Sequence, residues 1–413
     1  MPNVTKACGR STSEFEFVAL FASLTSLTAL ALSMMLPALS DIGRTFSAEQ
    51  DVHKVVSTLV LGMVFGELFF GPLADARGRK SAILIGIALF IAGSLIAMLA
   101  SSLTMLLFGR LLQGIGVAGP KIGSRAAIRD RYAGGAMART MSLIMTVLVL
   151  VPMLAPVLGE WVLELGSWRF LFGAYAGLSL LAALWLYFRQ PETLGQEDRL
   201  PFSVRGSFVV ALRILMNAKV LAYTLAAGLL FGAQLSYYGV AQSIFSITYQ
   251  RAELFTTFFA LLAFAVGAAS LINAKLVLRL GTAYLARTAV MGLVLSSGVL
   301  LVSALLSNGT PPLWIFVGLC AGCFFCIGIL FGNLGAMAME SLGAVAGIGA
   351  SIIASVSSLV AVLVSNVLGS FHDETLVPLG ICFVAVGMGT LLLVGFATRR
   401  DDVEVLPYRP ATA

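Results

Sequence analysis

Charge is what this chain has least of. Asp, Glu, Lys and Arg make up only 11% of its 413 residues, against about 25% in an ordinary soluble domain, while 59% are hydrophobic. A soluble fold of this length cannot hide that much apolar surface, so lipid is the expected solvent. In hydrocarbon every backbone polar group must be satisfied within its own element, which leaves helices or a closed barrel. The apolar runs are long and do not alternate, so they read as helices. Histidine is nearly absent. His53 and His372 both fall in expected outer loops, and no His/Asp cluster lies inside a run. That argues against a metal site or the converging nucleophile and base of a membrane-embedded enzyme. The five cysteines, Cys8, Cys320, Cys323, Cys326 and Cys382, suggest no disulfide framework. Three of them form CAGCFFC, a spacing used in iron–sulfur ligation. No fourth ligand is close by, and inside an apolar run Cys behaves as a small hydrophobe. No cleavable leader is expected, because the first run is too long for a signal segment.

Twelve apolar runs can be traced, at about 17–39, 55–74, 81–100, 103–123, 140–163, 168–188, 220–247, 254–274, 285–307, 312–338, 343–368 and 376–398. The longest interruption, 189–207, separates six from six. The expected organisation is an N-terminal half (1–188), a central cytoplasmic loop (189–207) and a C-terminal half (208–413). With the N-terminus inside, 21 Lys and Arg fall in inner segments. Only Arg44, Lys54, Arg169 and Arg251 fall outside, and Arg110 lies within a run. This asymmetry places both termini in the cytoplasm of a multi-pass inner-membrane protein. It also accounts for the net charge of +6 without nucleic acid. The halves echo each other: GPLADARGRK follows the second run, AKLVLRLGTAYLAR follows the eighth, and Gly78 matches Gly281 at an offset of 203. Repeated six-helix halves suit a transporter with a site between them at mid-membrane. The expected fold is all-α, two pseudo-symmetric six-helix bundles.

GPLADARGRK is the most informative stretch. Gly71 and Pro72 end a run, and Asp75 sits among Arg77, Arg79 and Lys80 around Gly78 in a short turn. Such a cluster makes charge-assisted contacts that one conformation keeps and another breaks. The stretch resembles the loop motif G-x-L-x-D-x-x-G-R-K of the major facilitator superfamily, with every specified position met. LLFGRLLQGIGVAGP (106–120) resembles the superfamily's fourth-span motif through Arg110, Gln113 and Gly114. VPMLAPVLGEW (151–161) resembles the fifth-span motif of antiporters through Pro152, Pro156 and Gly159, with Ala155 and Glu160 replacing glycines. SWRFLF and PETL resemble the ends of span six. Together the chain resembles the Bcr/CflA branch of twelve-span drug/proton antiporters. Gly114-Ile-Gly116-Val-Ala-Gly119 also satisfies G-x-G-x-x-G. It lies inside an apolar helix with no strand before it, so close helix packing is the expectation, not a dinucleotide site.

In those relatives the position of Ser33 typically bears an Asp, implied to take part in proton coupling near the fourth-span Arg. Here LSMMLPALS keeps the scaffold and loses the carboxylate. A serine does not exchange a proton near neutral pH. An arginine inside a membrane is a functional hypothesis by default, so Arg110 is expected to set the field of the cavity. Among the remaining intramembrane acids, Glu67 in GMVFGELFFG is the first candidate for coupling. Its other reading is a structural salt bridge, with Lys121 as partner. Glu160, Glu164 and Glu340 read as interfacial carboxylates. Met34, Met35, Gln113, Gln234, Tyr237 and Tyr238 are candidates for the substrate cavity.

The expected activity is export of small amphiphilic compounds by alternating access, by resemblance through proton antiport. Asp75, Arg79 and Lys80 would latch the inner side. An uncoupled facilitator, or an importer of an anionic or zwitterionic metabolite, is the alternative. The implied partners are lipid, substrate and protons, with the proton gradient as energy source, no cofactor and no metal. A monomer suffices for this architecture.

Overall fold

The computed structural model describes residues 13–132, 134–197, 199, 211–340, 342, 346–371 and 375–399. Both tails, residues 198 and 200–207 of the central loop, Cys8 and His372 lie outside the described residues.

Each apolar run contains one long helix. These are α1 (Glu14–Ser33), α2 (Lys54–Arg77), α3 (Arg79–Met98), α4 (Leu103–Arg131), α5 (Gly134–Glu164) and α6 (Arg169–Arg189). The second set is α7 (Ala218–Ser243), α8 (Phe255–Leu280), α9 (Thr282–Leu306), α10 (Leu313–Met339), α11 (Ala346–Ser370) and α12 (Val377–Arg399). Among the described residues, eleven are long and apolar enough to cross a membrane, and no strand occurs. Large apolar side chains face outward from the bundle: Leu278 and Leu306 are each more than four-fifths exposed, at 88% and 82%. Lipid is the solvent that such a surface requires.

The first run does not stay a single helix. Pro37 has no N–H, so the carbonyl of Ser33 loses its helical donor. The regular helix stops at Ser33, and a 3₁₀ turn (Leu36–Ala38) and a short helix (Leu39–Phe46) carry the chain onward. This break lies at the far end of the bundle. The opposite end, where α2, α4 and α6 finish in Arg77, Arg131 and Arg189, is the basic end.

Within the N-terminal half α4 packs on α2 and α3, α1 on α5, and α3 on α6. In the C-terminal half α7 packs on α11 and α12, α10 on α8 and α9, and α9 on α12. The halves meet along α2–α11 and α5–α8. Glycine makes the tightest of these crossings possible. A Cβ on Gly114 would lie 2.0 Å from the Leu59 carbonyl oxygen of α2, and one on Gly116 would lie 2.4 Å from the Phe90 nitrogen of α3. The G-x-G-x-x-G run is a packing surface for two neighbours at once. The repeat is visible in the backbone as well. Gly78 (φ 99°, ψ 157°) and Gly281 (φ 79°, ψ 158°) cap equivalent helices in one conformation, which L side chains rarely adopt.

Candidate functional site

Three polar clusters stand out in the N-terminal half. The first is the α2–α3 turn. Arg79, only 5% exposed, donates from Nη1 to Asp75 and from Nε to Asp130 Oδ2 at 3.0 Å. Glu192, in the PETL stretch after α6, caps the start of α3. Its Oε1 accepts from the Arg79 N–H at 2.8 Å and its Oε2 from the Lys80 N–H at 3.1 Å. A Cβ on Gly78 would lie 2.3 Å from that Oε2, so the glycine gives the carboxylate room as well as its φ. Lys80 Nζ donates to the Tyr187 carbonyl at 2.8 Å, and Arg77 is exposed. Every partner lies in the N-terminal half or the start of the central loop. In this conformation Asp75, Arg79 and Lys80 therefore tie α2, α3, α4 and the end of α6 together and do not join the halves. Asp130 and Glu192 were not legible as partners, since nothing in the linear sequence brings them to the turn.

The second cluster surrounds Arg110. Its guanidinium is fully buried and donates to three oxygens: Val55 O at 3.0 Å, Ala31 O at 2.8 Å and Gln113 Oε1 at 2.9 Å. Gln113 is itself held by Ser94 Oγ at 2.7 Å. Arg110, expected to set the field of the cavity, is enclosed in helix packing in this conformation. Carbonyl dipoles coordinate it and pin α1, α2 and α4 together. Ser33, 1% exposed, ends α1 nearby in sequence.

The third cluster centres on Glu67. It is fully buried, and its Oε1 lies 2.5 Å from Lys121 Nζ of α4. Its Oε2 has no hydrogen-bond partner. Val64, Glu67 and Gly71 follow the i, i+3, i+7 spacing of one helix face. Both flanking residues touch α11 of the other half: Ser355 Oγ donates to Val64 O at 3.3 Å, and a Cβ on Gly71 would lie 3.6 Å from Ser351 Oγ. Glu67 thus sits on the seam between the halves. Ser33 of α1 and the acid Glu67 of α2 are both buried, and the helix face of Glu67 borders an element of the other half.

The far end of that seam is sealed by neutral donors and one carboxylate. The Gln242 amide donates to Pro37 O and accepts from the Ser40 N–H at 2.8 Å. Ser57 Oγ donates to Asn366 Oδ1 at 2.8 Å, and Thr256 Oγ1 donates to Glu160. Gly159 of α5 packs on the broken α1, where a Cβ would lie 2.1 Å from Met34 O. Pro152 and Pro156 are accommodated inside α5. Between described residues no hydrogen bond or ion pair crosses the halves at the basic end.

Of the expected cavity residues, Met34, Met35, Gln113, Tyr237 and Tyr238 are buried in packed contacts. Tyr237 stacks on Phe259 and meets the Phe324 edge. Gln234 is half-buried and donates to Tyr238 Oη at 2.8 Å. Apart from half-buried Gln234, these side chains are enclosed in this conformation. Cys320, Cys323 and Cys382 are buried free thiols and Cys326 is half-buried, with no metal-holding cluster among the described residues.

The model of the Major Facilitator Superfamily matches residues 21–365. The chain belongs to the Major Facilitator Superfamily. It is a multi-pass membrane transporter of that superfamily and not an enzyme. It is 28% identical to a bicyclomycin resistance protein homolog of Haemophilus influenzae, over 94% of this chain and 98% of that one. It is equally 28% identical to the uncharacterized MFS-type transporter YdgK of Bacillus subtilis, over 92% and 95%. The bicyclomycin-resistance relative agrees with the resemblance to the Bcr/CflA branch. Among solved structures, a D-xylose-proton symporter superposes with a TM-score of 0.76 at 15% identity, covering 93% of this chain and 97% of that one, which shows the shared fold.

Proposed function

We propose that this superfamily member exports small amphiphilic compounds from the cytoplasm by alternating access, driven by proton entry, and that Glu67 is the coupling acid. The single observation behind this reading is the placement of Glu67, a fully buried carboxylate with one unbonded oxygen on the helix face that touches the other half. A coupling acid must change surroundings as the halves rock, and Glu67, a fully buried acid on the seam, meets that condition. Arg110 does not, because its three acceptors all belong to the N-terminal half. The resistance named for the Haemophilus relative supports export of foreign compounds. The 21-to-4 distribution of Lys and Arg supports a cytoplasmic basic end. The far end of the seam between the halves is held shut by hydrogen bonds in this conformation.

The test uses everted membrane vesicles with an imposed proton gradient. Lipophilic cations and amphiphilic anions are added, and gradient consumption is followed in the parent and in Glu67→Gln. Substrate-dependent proton movement that disappears in Glu67→Gln is the expected result. Transport without proton movement in either protein would leave a facilitator and remove the word antiporter.

A further inference from the structure

Glu67 and Lys121 are each other's partner, and that fact has a consequence for substrate charge. Lys121 is not sealed: its side chain is 19% exposed, while Glu67 has no exposure. One turn nearer the basic end, Arg125 keeps accessible surface in densely surrounded protein, lies within electrostatic reach of Glu67, and among the described residues has no hydrogen bond or ion pair. The other elements along this face of α2 bring no further charge to the site. α11 contains no ionisable residue, and the single charged residue of α7, Lys219, sits at its basic end. The cluster thus holds one acid and two cations. While Glu67 is ionised, Lys121 is engaged. A proton on Oε2 cancels the acid's charge and frees the ammonium, next to an unpaired guanidinium.

We infer that Lys121 and Arg125 form a binding site for the head group of an amphiphilic monoanion, and that filling this site and protonating Glu67 favour each other. The inference rests on Glu67 being the coupling acid and adds the substrate class that reads its charge. Linkage sets the sign. Two ligands that raise each other's affinity travel together through an alternating-access cycle, whereas a cation competes with the proton for Glu67 and travels against it. One carrier then exchanges protons for cations and moves protons with anions.

The experiment uses the full chain in sealed proteoliposomes, with an internal pH dye. 2-Naphthalenesulfonate serves as a permanently charged anion and tetraphenylphosphonium as the cation. The expected result is proton movement in the direction of the anion gradient and opposite to the cation gradient. Arg125→Gln, at an exposed position, should raise the KM for the anion about tenfold, the loss of one charge-assisted contact, with the KM for the cation within about twofold. Proton movement against the anion, no anion flux above empty vesicles, or equal change for both substrates in Arg125→Gln would overturn the inference. Cation-driven proton flux in Glu67→Gln separates the two readings. If it persists, Glu67 is not the coupling acid; if it is lost while the anion results fail, only the anion site falls.

Discussion

The buried side-chain contact that joins α2 to α4 in the N-terminal half carries charge; the one that joins the corresponding α8 and α10 of the C-terminal half is neutral. α2 and α4 are joined by Glu67 and Lys121 at 2.5 Å, whereas α8 and α10 are joined by Asn333 Nδ2 donating to Asn273 Oδ1 at 2.7 Å. The α2–α3 turn holds Arg79 between two aspartates with Glu192 docked over Gly78. The α8–α9 turn repeats the glycine and its backbone angles, yet a Cβ on Gly281 would meet nothing within 4 Å. The repeat offset of 203 puts Leu278, almost fully exposed, where Asp75 stands in the first half. Helix packing and the turn glycine are what the repeated fold needs. The charges are extra, and burying them in a membrane is costly. Among the described residues these buried charged contacts lie in the N-terminal half, where the proposed coupling acid also lies.

The largest expected effect breaks the charged contact and leaves the neutral one alone. Lys121→Ala strands a buried carboxylate and should cost about 3–5 kcal/mol. Asn333→Ala removes one interhelical amide bond and should cost about 1 kcal/mol. Thermal unfolding in detergent measures both, and equal losses would end the contrast between the halves. The pair Glu67→Gln with Lys121→Gln sharpens it, since stability should largely return while proton movement stays absent. Glycines give the next contrast. Gly114→Ala drives a methyl into the α2 backbone and should cost about 1–3 kcal/mol or more. Gly335→Ala in α10 meets open space and should be neutral or stabilising by up to about 1 kcal/mol.

The two turns come third. Gly78→Ala and Gly281→Ala share a backbone cost of about 1–3 kcal/mol, and Gly78→Ala also displaces the Glu192 carboxylate from the start of α3. Gly78→Ala should therefore be the more damaging by melting temperature. In a Glu192→Ala background the two should converge, and a gap that survives there would mean that something other than the carboxylate occupies the space.

Twelve helices were legible in the sequence because each must span hydrocarbon with its own hydrogen bonds, which forces a long apolar run. The turn glycines were legible for the same local reason. Lys121 was readable as a partner of Glu67, because few intramembrane charges exist to choose from. What was not legible depends on residues far apart in the chain. Asp130 and Glu192 reach Arg79 across 51 and 113 positions. Two of the three acceptors around Arg110 are backbone carbonyls, which no side-chain pattern announces. Met34 and Tyr237 have the composition of a cavity wall but are packed inside, because polarity and size along a helix do not say which conformation of a two-state carrier is present.

The smallest expected effect lies where the halves meet. Gln242 closes the far end by matching its amide to two backbone groups freed by the α1 break, the Pro37 carbonyl and the Ser40 N–H. Gln242→Leu keeps the bulk and removes both bonds, a loss of about 1 kcal/mol. Global stability should barely move, since the bonds joining each half internally are untouched. The balance between the two orientations should shift about fivefold, because these bonds exist only while the far end is shut. The α2–α3 and α8–α9 turns report it: spin labels on exposed Arg77 and Tyr284 should gain a shorter-distance population as the basic end closes. An unchanged distance distribution would mean that apolar packing of Gly159 on Met34 and Pro37, and not the amide clamp, holds the carrier in this orientation.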